Sequence, residues 1–452
     1  MNSDLVSPRV PSRHRWAIVA ILCAVAFVLY IDRINISVSA PHIATEFGLS
    51  SQSLGNVLSA FLFGYALGLI PGGWLADRFG AHKVLTLAGI FWAVLTAVVG
   101  CIPREHLREA HHAVTLLFLV RFLLGLAEAC AYPTFARALA NWMRRGERAM
   151  ASGLIHMGSN LGGVFTPVFI AFIISRLGWR HSFVLSGLIT FAVAFWWWRM
   201  GTDEPSQNKR VSQEELRIIT SEREEPHIER VDLGWYKQLA RSREAYILCI
   251  SCFFMGLSGF VFLTWFYTYL VQVRGTGDLY SAALTSLTYV AGAVGALFGG
   301  ILCDASVRKW GSPWGRRIVP LVSMTVSGLL CIMAPAIRNN TASAVLFALA
   351  AGLQVVPAPA FWATIIDITR RGPAIVGGFM NGSGNLGAAL GTIGFPWLVS
   401  RMDWQLALQL AGSTGIVSGL VWLLIDSSRQ IDVFQPGTAT SVSESTTLET
   451  TS

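Results

Sequence analysis

Apolar runs long enough to cross a lipid bilayer recur along the whole chain. Of its 452 residues, 53% are hydrophobic and 13% are charged, which is too apolar a balance for an ordinary soluble protein of this length. A membrane-spanning helix needs about 20 consecutive apolar residues, and the sequence predicts twelve such helices. The predicted spans are 16–41, 54–76, 84–102, 113–138, 148–174, 182–198, 245–272, 281–302, 318–337, 342–366, 375–399 and 405–425. The chain is therefore expected to be an all-α integral membrane protein.

The Lys and Arg residues are unevenly distributed around these spans. If the N-terminus, the even-numbered loops and the C-terminus share one side, that side carries 25 of the 34 Lys and Arg residues and the other side carries seven. Basic loops remain on the cytoplasmic side of a membrane, so both termini are predicted to be cytoplasmic. In a bacterium the protein would lie in the inner, plasma membrane. The net charge of +8 then reflects loops that face anionic lipids, and no nucleic-acid partner is expected.

One long polar segment, residues 201–243, divides the spans into two groups of six. It is predicted to be a cytoplasmic linker between an N-terminal bundle, residues 16–200, and a C-terminal bundle, residues 244–426. Residues 1–15 would form a cytoplasmic N-terminal segment. Residues 427–452, which are rich in Ser and Thr, would form a disordered cytoplasmic tail.

The two halves repeat one another. "GGWLAD", ending at Asp77, matches "GGILCD", ending at Asp304, at an offset of 227 residues. "YPTF" matches "APAF" at an offset of 226, and "SNLG" matches "GNLG" at an offset of 225. Agreement to within a residue in three places indicates a duplicated six-helix unit. Because both halves begin on the cytoplasmic side, they are parallel repeats, which can rock about a site at their interface.

"GGWLADRFGAHKVL", in the loop after the second span, resembles the signature of the major facilitator superfamily. In that family, charged residues of this loop latch neighbouring helices, and the latch breaks and re-forms during gating. The resemblance implies the major facilitator fold, and it assigns a gating role to Gly73, Asp77, Arg78 and Gly80. Asp304 is the counterpart in the shorter second copy of the motif.

Within the superfamily, the chain is most similar to the anion:cation symporters, such as the galactonate and hexuronate transporters. The similarity is carried by "YIDRINISVSAP", "RFLLGLAEACAYP", "FLTWFYTYLVQVRG" and "MNGSGNLG". It implies uptake of a small organic anion, a sugar acid or another carboxylate, coupled to H⁺ or in some members to Na⁺. We expect a monomer in the lipid bilayer that uses no cofactor and no metal.

Four ionisable residues lie well inside predicted spans: Asp32, Arg33, Arg121 and Glu128. A charged side chain costs about 2.5 to 3.5 kcal/mol at the centre of a membrane helix, so such residues are usually functional. Their counterparts in the second half, at an offset of 226, are the uncharged Ser258, Gly259, Phe347 and Gln354. The fold therefore does not need these charges, which indicates chemistry confined to the first half.

We predict that Arg33 binds the substrate carboxylate, because its planar guanidinium can bind a carboxylate through two hydrogen bonds and stays charged. Glu128 and Asp32 are predicted to carry protons. Arg121, seven residues before Glu128 on the same helix face, would be the cation that switches Glu128. The alternative is two static buried ion pairs, which are poor net stabilisers.

Polar and aromatic residues are predicted to complete the binding pocket. Tyr30 lies one turn before Arg33, Trp265 and Tyr267 cluster in the seventh span, and Asn381 and Asn385 are one turn apart in the eleventh. Such side chains suit a hydroxyl-rich acid. Interfacial aromatic belts and helix packing explain the same residue types equally well.

Two other functions remain open at this stage. A facilitator or exporter of a neutral or cationic solute could have the same fold. A membrane sensor that binds its ligand without transporting it is the alternative from a different class. An enzyme is not expected, because no catalytic triad, metal cluster or nucleotide-binding loop is present in the sequence.

Overall fold

The structure, a computed structural model, describes residues 13–102, 110–221, 233–369 and 373–429. Throughout these residues the regular structure is helical, without strands, which confirms the predicted all-α fold. Most of the predicted C-terminal tail and the first twelve residues of the predicted N-terminal segment lie outside the described residues.

Seven long helices and two short linker helices form the first part of the chain. They are α1 (His14–Phe47), α2 (Ser51–Phe79), α3 (Ala81–Cys101), α4 (Ala110–Glu128), α5 (Ala131–Trp142), α6 (Arg145–Leu177), α7 (Trp179–Met200), α8 (Gln213–Thr220) and α9 (Leu233–Leu239). The second part contains α10 (Arg243–Phe260), α11 (Phe266–Thr268), α12 (Asp278–Met333), α13 (Asn340–Val355), α14 (Ala358–Ile368), α15 (Pro373–Arg401) and α16 (Trp404–Val421). Two π-helical segments, Val261–Trp265 and Tyr269–Val273, flank α11.

Eleven helical stretches of the described residues are long and apolar enough to cross a membrane. Helices α4 and α5 together supply one of them, and α12 supplies two, which meet at Gly311. Gly311 has φ of +76°, a backbone conformation that glycine adopts at little cost. Helix α15 has 29 residues but is not among the eleven, because its "GGFMNGSGNLG" stretch lowers its apolarity. The count of twelve spans therefore stays a prediction.

The predicted repeat is visible in the local geometry. The fourth span breaks after Glu128 and the tenth breaks after Val355, an offset of 227 residues. A Cβ placed on Gly259 would lie 3.5 Å from the Gln354 side chain, so the counterparts of Arg33 and Glu128 are also neighbours. The duplication thus preserved the position of this helix contact while the two halves diverged in its chemistry.

Helices α2 and α4 pack with their backbones in contact, which positions the central residues described below. A Cβ placed on Gly64 would lie 2.1 Å from the Phe122 carbonyl oxygen, and one on Gly125 would lie 2.2 Å from the Phe61 carbonyl oxygen. Larger residues at these two glycines would push the helices apart. This close approach brings the aromatic face of α2 against the end of α4.

The linker contacts the beginning of the first span. We call the membrane face at which α1 begins the near side and the face at which it ends the far side. Glu215 of α8 is fully buried, and its carboxylate accepts hydrogen bonds from the backbone N–H groups of His14 and Arg15, each at 3.1 Å. The Arg15 guanidinium also bonds Glu147 of α6. The start of α1, the start of α6 and the linker are therefore held together on the near side.

Candidate functional site

A buried ion pair joins the first span to the fourth. Nε of Arg33 donates to Oε2 of Glu128 at 2.8 Å, and the two side chains are 14% and 0% exposed. The other carboxylate oxygen, Oε1, and Nη2 of Arg33 have no hydrogen-bond partner among the described residues. The guanidinium thus retains unused donor capacity beside the carboxylate, so it can accept a second anionic group.

Aromatic rings surround the Arg33 guanidinium. Its Cζ lies 4.5 Å from the ring centroid of Tyr65, 5.4 Å from that of Phe61 and 5.8 Å from that of Tyr30. Cation–π contacts of this kind hold a guanidinium without using its N–H donors. The structure places the predicted Tyr30 beside Arg33. Tyr65 and Phe61 were missed, because an aromatic residue in an apolar run carries no signal of its own.

Asp32 points away from Arg33, in keeping with the rotation of about 100° between adjacent helical residues. Its Oδ2 accepts a hydrogen bond of 2.9 Å from the Thr190 hydroxyl of α7, and both residues are buried. Its Oδ1 has no hydrogen-bond partner among the described residues. In the second half, the equivalent Ser258 likewise faces the last span, since its Oγ lies 2.9 Å from a Cβ placed on Gly415.

Arg121 lies behind the ion pair, inside the first half. Its guanidinium is centred 4.8 Å from the Phe61 ring, and it interacts electrostatically with both Glu128 and Asp32. The sequence favoured Arg121 as the partner of Glu128, whereas the direct contact is made by Arg33. Both guanidinium groups therefore lie next to the Phe61 ring, with Glu128 within electrostatic reach of both.

Asn381 and Asn385 lie one turn apart on α15, the helix that packs against α2 of the first half. Asn385 donates its amide to the backbone oxygen of Asn381 at 2.9 Å. Thr392 follows Asn381 by eleven residues, about three helical turns, so the two share a helix face. The backbone oxygen of Thr392 lies 3.1 Å from a Cβ placed on Gly55 of α2. Helix α15 therefore meets the first half near Thr392, and the part of the two asparagines in substrate binding stays a prediction.

The structure does not bring Trp265 and Tyr267 to this group. Trp265 is 2% exposed, donates to the Thr392 backbone oxygen at 3.3 Å and packs against Trp404. Tyr267 is also 2% exposed and donates its hydroxyl to Asp278 at 3.0 Å. In this conformation both residues pack inside the second half, and their part in substrate binding stays a prediction.

The predicted gating loop turns at a single glycine. Gly80 joins α2 to α3 with φ of +89°, and a Cβ there would lie 2.4 Å from the Asp203 carboxylate. Asp203 accepts a 2.8 Å hydrogen bond from the backbone N–H of His82, which anchors the start of α3. This anchor was not foreseen from the sequence. The side chain of Asp77 lies outside the described part of the structure.

The other gating residues lie on helix surfaces. The Arg78 guanidinium is centred 5.4 Å from the Trp74 ring, and Gly73 lies 3.8 Å from the Pro133 ring when a Cβ is placed on it. Asp304 is exposed on α12. Among the described residues, these positions do not form a charged latch in this conformation, so their gating role stays a prediction.

Contacts between the two halves extend from mid-membrane to the far side. Ser37 of α1 donates its hydroxyl to the Leu263 backbone oxygen at 2.7 Å. Gln52 of α2 donates its side-chain amide to the Ile393 backbone oxygen at 2.9 Å. These contacts close the far side of the interface between the halves.

A polar cluster lies at the same end of the interface. Nε2 of His42 lies 3.6 Å from Oδ2 of Asp278, whose Oδ1 accepts the hydrogen bond from Tyr267. Since His42 belongs to the first half and the other two to the second, this cluster adds to the closure of the far side.

Comparison with known proteins agrees with this architecture. Residues 22–313 match the model of the Major Facilitator Superfamily. A probable sulfoacetate transporter of Cupriavidus necator is 31% identical, and the match covers 94% of this chain and 96% of the relative. A probable galactarate/D-glucarate transporter of Bacillus subtilis is 30% identical, with 91% of each chain covered. The relatives are named as transporters, which confirms that an enzyme is not the function to expect.

The fold is also found in solved structures. A bacterial homologue of the human lysosomal transporter Spinster, in an inward-facing and occupied conformation, superimposes with a TM-score of 0.73. That match covers 92% of this chain and 97% of the homologue at 18% sequence identity. At this identity the likeness concerns the fold alone.

Proposed function

Because the chain belongs to the major facilitator superfamily and is homologous to transporters of organic acids, we propose that it takes up an organic anion together with a proton. The observation that carries this proposal is the contact of 2.8 Å between Arg33 and Glu128. The anion would be a sugar acid or a related carboxylate or sulfonate, as the names of the two relatives suggest.

The contact couples anion and proton because the two acids compete for one guanidinium. An incoming carboxylate that takes the Arg33 fork displaces the Glu128 carboxylate. Glu128 is fully buried, and a buried carboxylate without a cationic partner is strongly disfavoured unless it takes up a proton. Anion binding therefore draws a proton onto Glu128, and anion release lets Glu128 return to Arg33 as the proton leaves.

Arg121 and Asp32 complete the charge balance in this scheme. The two arginines and the two carboxylates of this group carry no net charge when all four are ionised. Arg121 remains within electrostatic reach of Glu128 and Asp32, so it stabilises whichever carboxylate is ionised. Asp32, held by Thr190 at 2.9 Å on the side of α1 that faces α7, would be a second, more deeply placed proton carrier.

Transport itself would follow from rocking of the two halves. The contacts of Ser37 and Gln52 with the second half close the far side. With the termini in the cytoplasm, as the basic loops predict, this arrangement would correspond to an inward-facing conformation. Release of these contacts and closure of the near side would present Arg33 to the outside. The gating residues Gly73, Asp77, Arg78, Gly80 and Asp304 would act in this second step.

Uptake into proteoliposomes tests the proposal. The assay uses a panel of labelled sugar acids, dicarboxylates and aromatic acids, with an acidic exterior, with an imposed Na⁺ gradient, and with neither. We expect acid-driven accumulation of at least one anion, and loss of that accumulation in Arg33→Ala. Accumulation driven by Na⁺ alone would contradict proton coupling, and uptake that ignores both gradients would favour a facilitator. Absence of uptake of every anion would overturn the proposed function.

A further inference from the structure

Helix α6 carries a histidine, His156, that the proposed mechanism does not use. His156 lies within the span Met150–Leu177, yet its side chain is exposed. Its ring makes no hydrogen bond with the described residues. A polar ring that is left unpaired within a membrane span normally faces a water-filled cavity.

The helical register of α6 shows which cavity this is. Gly163 follows His156 by seven residues, two turns on the same helix face. A Cβ on Gly163 would lie 2.5 Å from the Tyr289 ring of the second half, so this face meets the interface between the halves. The exposed apolar stripe of α6, which contains Met157, Leu161 and Phe165, lies on a different face from His156 and Gly163. His156 therefore lines the interface on the near side of the Gly163 contact.

Tyr132 connects this histidine to the proposed anion site. The rings of His156 and Tyr132 are stacked, with centroids 5.4 Å apart and an interplanar angle of 20°. The Tyr132 hydroxyl is paired with the Ser159 hydroxyl at 2.8 Å, which fixes the tyrosine ring. Tyr132 in turn interacts electrostatically with Arg33. Tyr132 is thus in contact with the imidazole and within electrostatic reach of the guanidinium.

The polar side chains around His156 suit a second acidic group of the bound anion. The described side chains beside His156 include Tyr132, Ser159 and Asn160, which can donate hydrogen bonds and carry no negative charge. The imidazole N–H is the strongest unpaired donor among them, and it becomes a cation if an anion draws a proton onto the ring.

We infer that His156 is a second anion-binding residue, which makes the site selective for acids with an acidic group at each end. The Arg33 fork would bind one end, and His156, held in place by Tyr132, would bind the other. This inference rests on the proposed function. A hydrogen bond to a charged group exceeds one to a neutral group by an amount that corresponds to about a tenfold difference in affinity.

Two sugar acids of the same carbon skeleton test this directly. Galactarate carries a carboxylate at both ends, and galactonate carries a carboxylate at one end and a hydroxymethyl group at the other. Binding of each acid to the purified protein is measured by calorimetry for the wild type, His156→Phe and His156→Gln. Phenylalanine keeps the ring that stacks on Tyr132, and glutamine keeps an N–H donor. His181→Phe, at an exposed histidine of α7, is the matched control.

We expect the wild type and His181→Phe to bind galactarate about tenfold more tightly than galactonate. His156→Phe should lose this preference through weaker galactarate binding, with galactonate binding unchanged, and His156→Gln should recover part of it. An unchanged ratio in His156→Phe would overturn the role of His156 while leaving the anion site at Arg33 intact. If the wild type binds neither acid, this inference fails, whereas the proposed function fails only if no anion of the uptake panel is transported.

Discussion

Replacing Glu128 with glutamine separates anion binding from proton binding in the proposed coupling. Glutamine preserves the shape of the side chain and offers Arg33 a neutral oxygen, but it cannot gain or lose a proton. The buried contact of 2.8 Å is a hydrogen bond between two charged groups in the wild type. In the variant it becomes a hydrogen bond between a charged and a neutral group.

The size of the effect on anion affinity follows from this change. A hydrogen bond that involves a charged group contributes about 1.5 to 3 kcal/mol. The wild-type bond has two charged partners and belongs at the upper end of this range, whereas the bond in the variant has one and belongs at the lower end, so the internal competitor of the anion is weakened by roughly 1 to 1.5 kcal/mol. Each 1.4 kcal/mol corresponds to about a factor of ten in affinity. Glu128→Gln should therefore bind the transported anion about tenfold more tightly at neutral pH.

Transport by the variant distinguishes coupling from binding. Glu128→Gln should exchange labelled for unlabelled anion across proteoliposome membranes, because exchange needs no net proton movement, and it should fail to accumulate anion under an acidic exterior. Glu214→Gln, a substitution of an exposed carboxylate on α8, should behave as the wild type in both assays. Accumulation against a concentration gradient by Glu128→Gln would refute the assignment of the proton to this residue.

Three further expectations follow from the contacts described above. Arg33→Lys keeps the charge but loses the planar fork, so the Kd for the anion should rise about tenfold or more, and unimpaired uptake would contradict the assignment of the anion to Arg33. Cysteines at Gln52 and Ile393, in a background without the native cysteines, should be joined by a short cleavable thiol cross-linker. Joining them should hold the far side closed and stop uptake until the linker is cut, and continued uptake by the cross-linked protein would show that this contact does not open. The pKa of Glu147 is lowered by its hydrogen bond from Arg144 and by Arg15, so its ionised form stabilises the fold above the ordinary glutamate pKa. That contribution is lost as the pH falls through the lowered pKa. Glu147→Gln should consequently melt below the wild type at neutral pH, and the two melting curves should converge in acid; a difference that persists in acid would contradict the electrostatic origin.

The elements of the fold that depend on local pattern were predictable from the sequence. The length of the apolar runs identifies the spans. The offset near 226 residues pairs Glu128 with Gln354, and in the structure Gln354 lies beside Gly259, the counterpart of Arg33. The exception is α15, where a glycine- and asparagine-rich stretch makes a 29-residue helix too polar to count among the eleven apolar spans. Composition alone therefore does not identify such a helix as a membrane span.

The pairing of the buried charges was not predictable in full. Arg121 and Glu128 share a helix face, which made them the expected pair, but Arg33 reaches Glu128 from a helix 95 residues earlier in the chain. Such a contact depends on the packing of α1 against α4, which sequence spacing does not encode. Tyr65 and Thr190 were missed for the same reason, since each is an ordinary residue of its span until the neighbouring helix is in place.

The central claim is that the anion and Glu128 exchange places on Arg33, and proton uptake on binding measures this directly. Purified protein in a weakly buffered solution with a pH indicator is titrated with a transported anion. The wild type should take up protons from the solution as the anion binds, and Glu128→Gln should bind the anion with little or no proton uptake. Anion binding by the wild type without proton uptake, or equal uptake by the glutamine variant, would contradict the account.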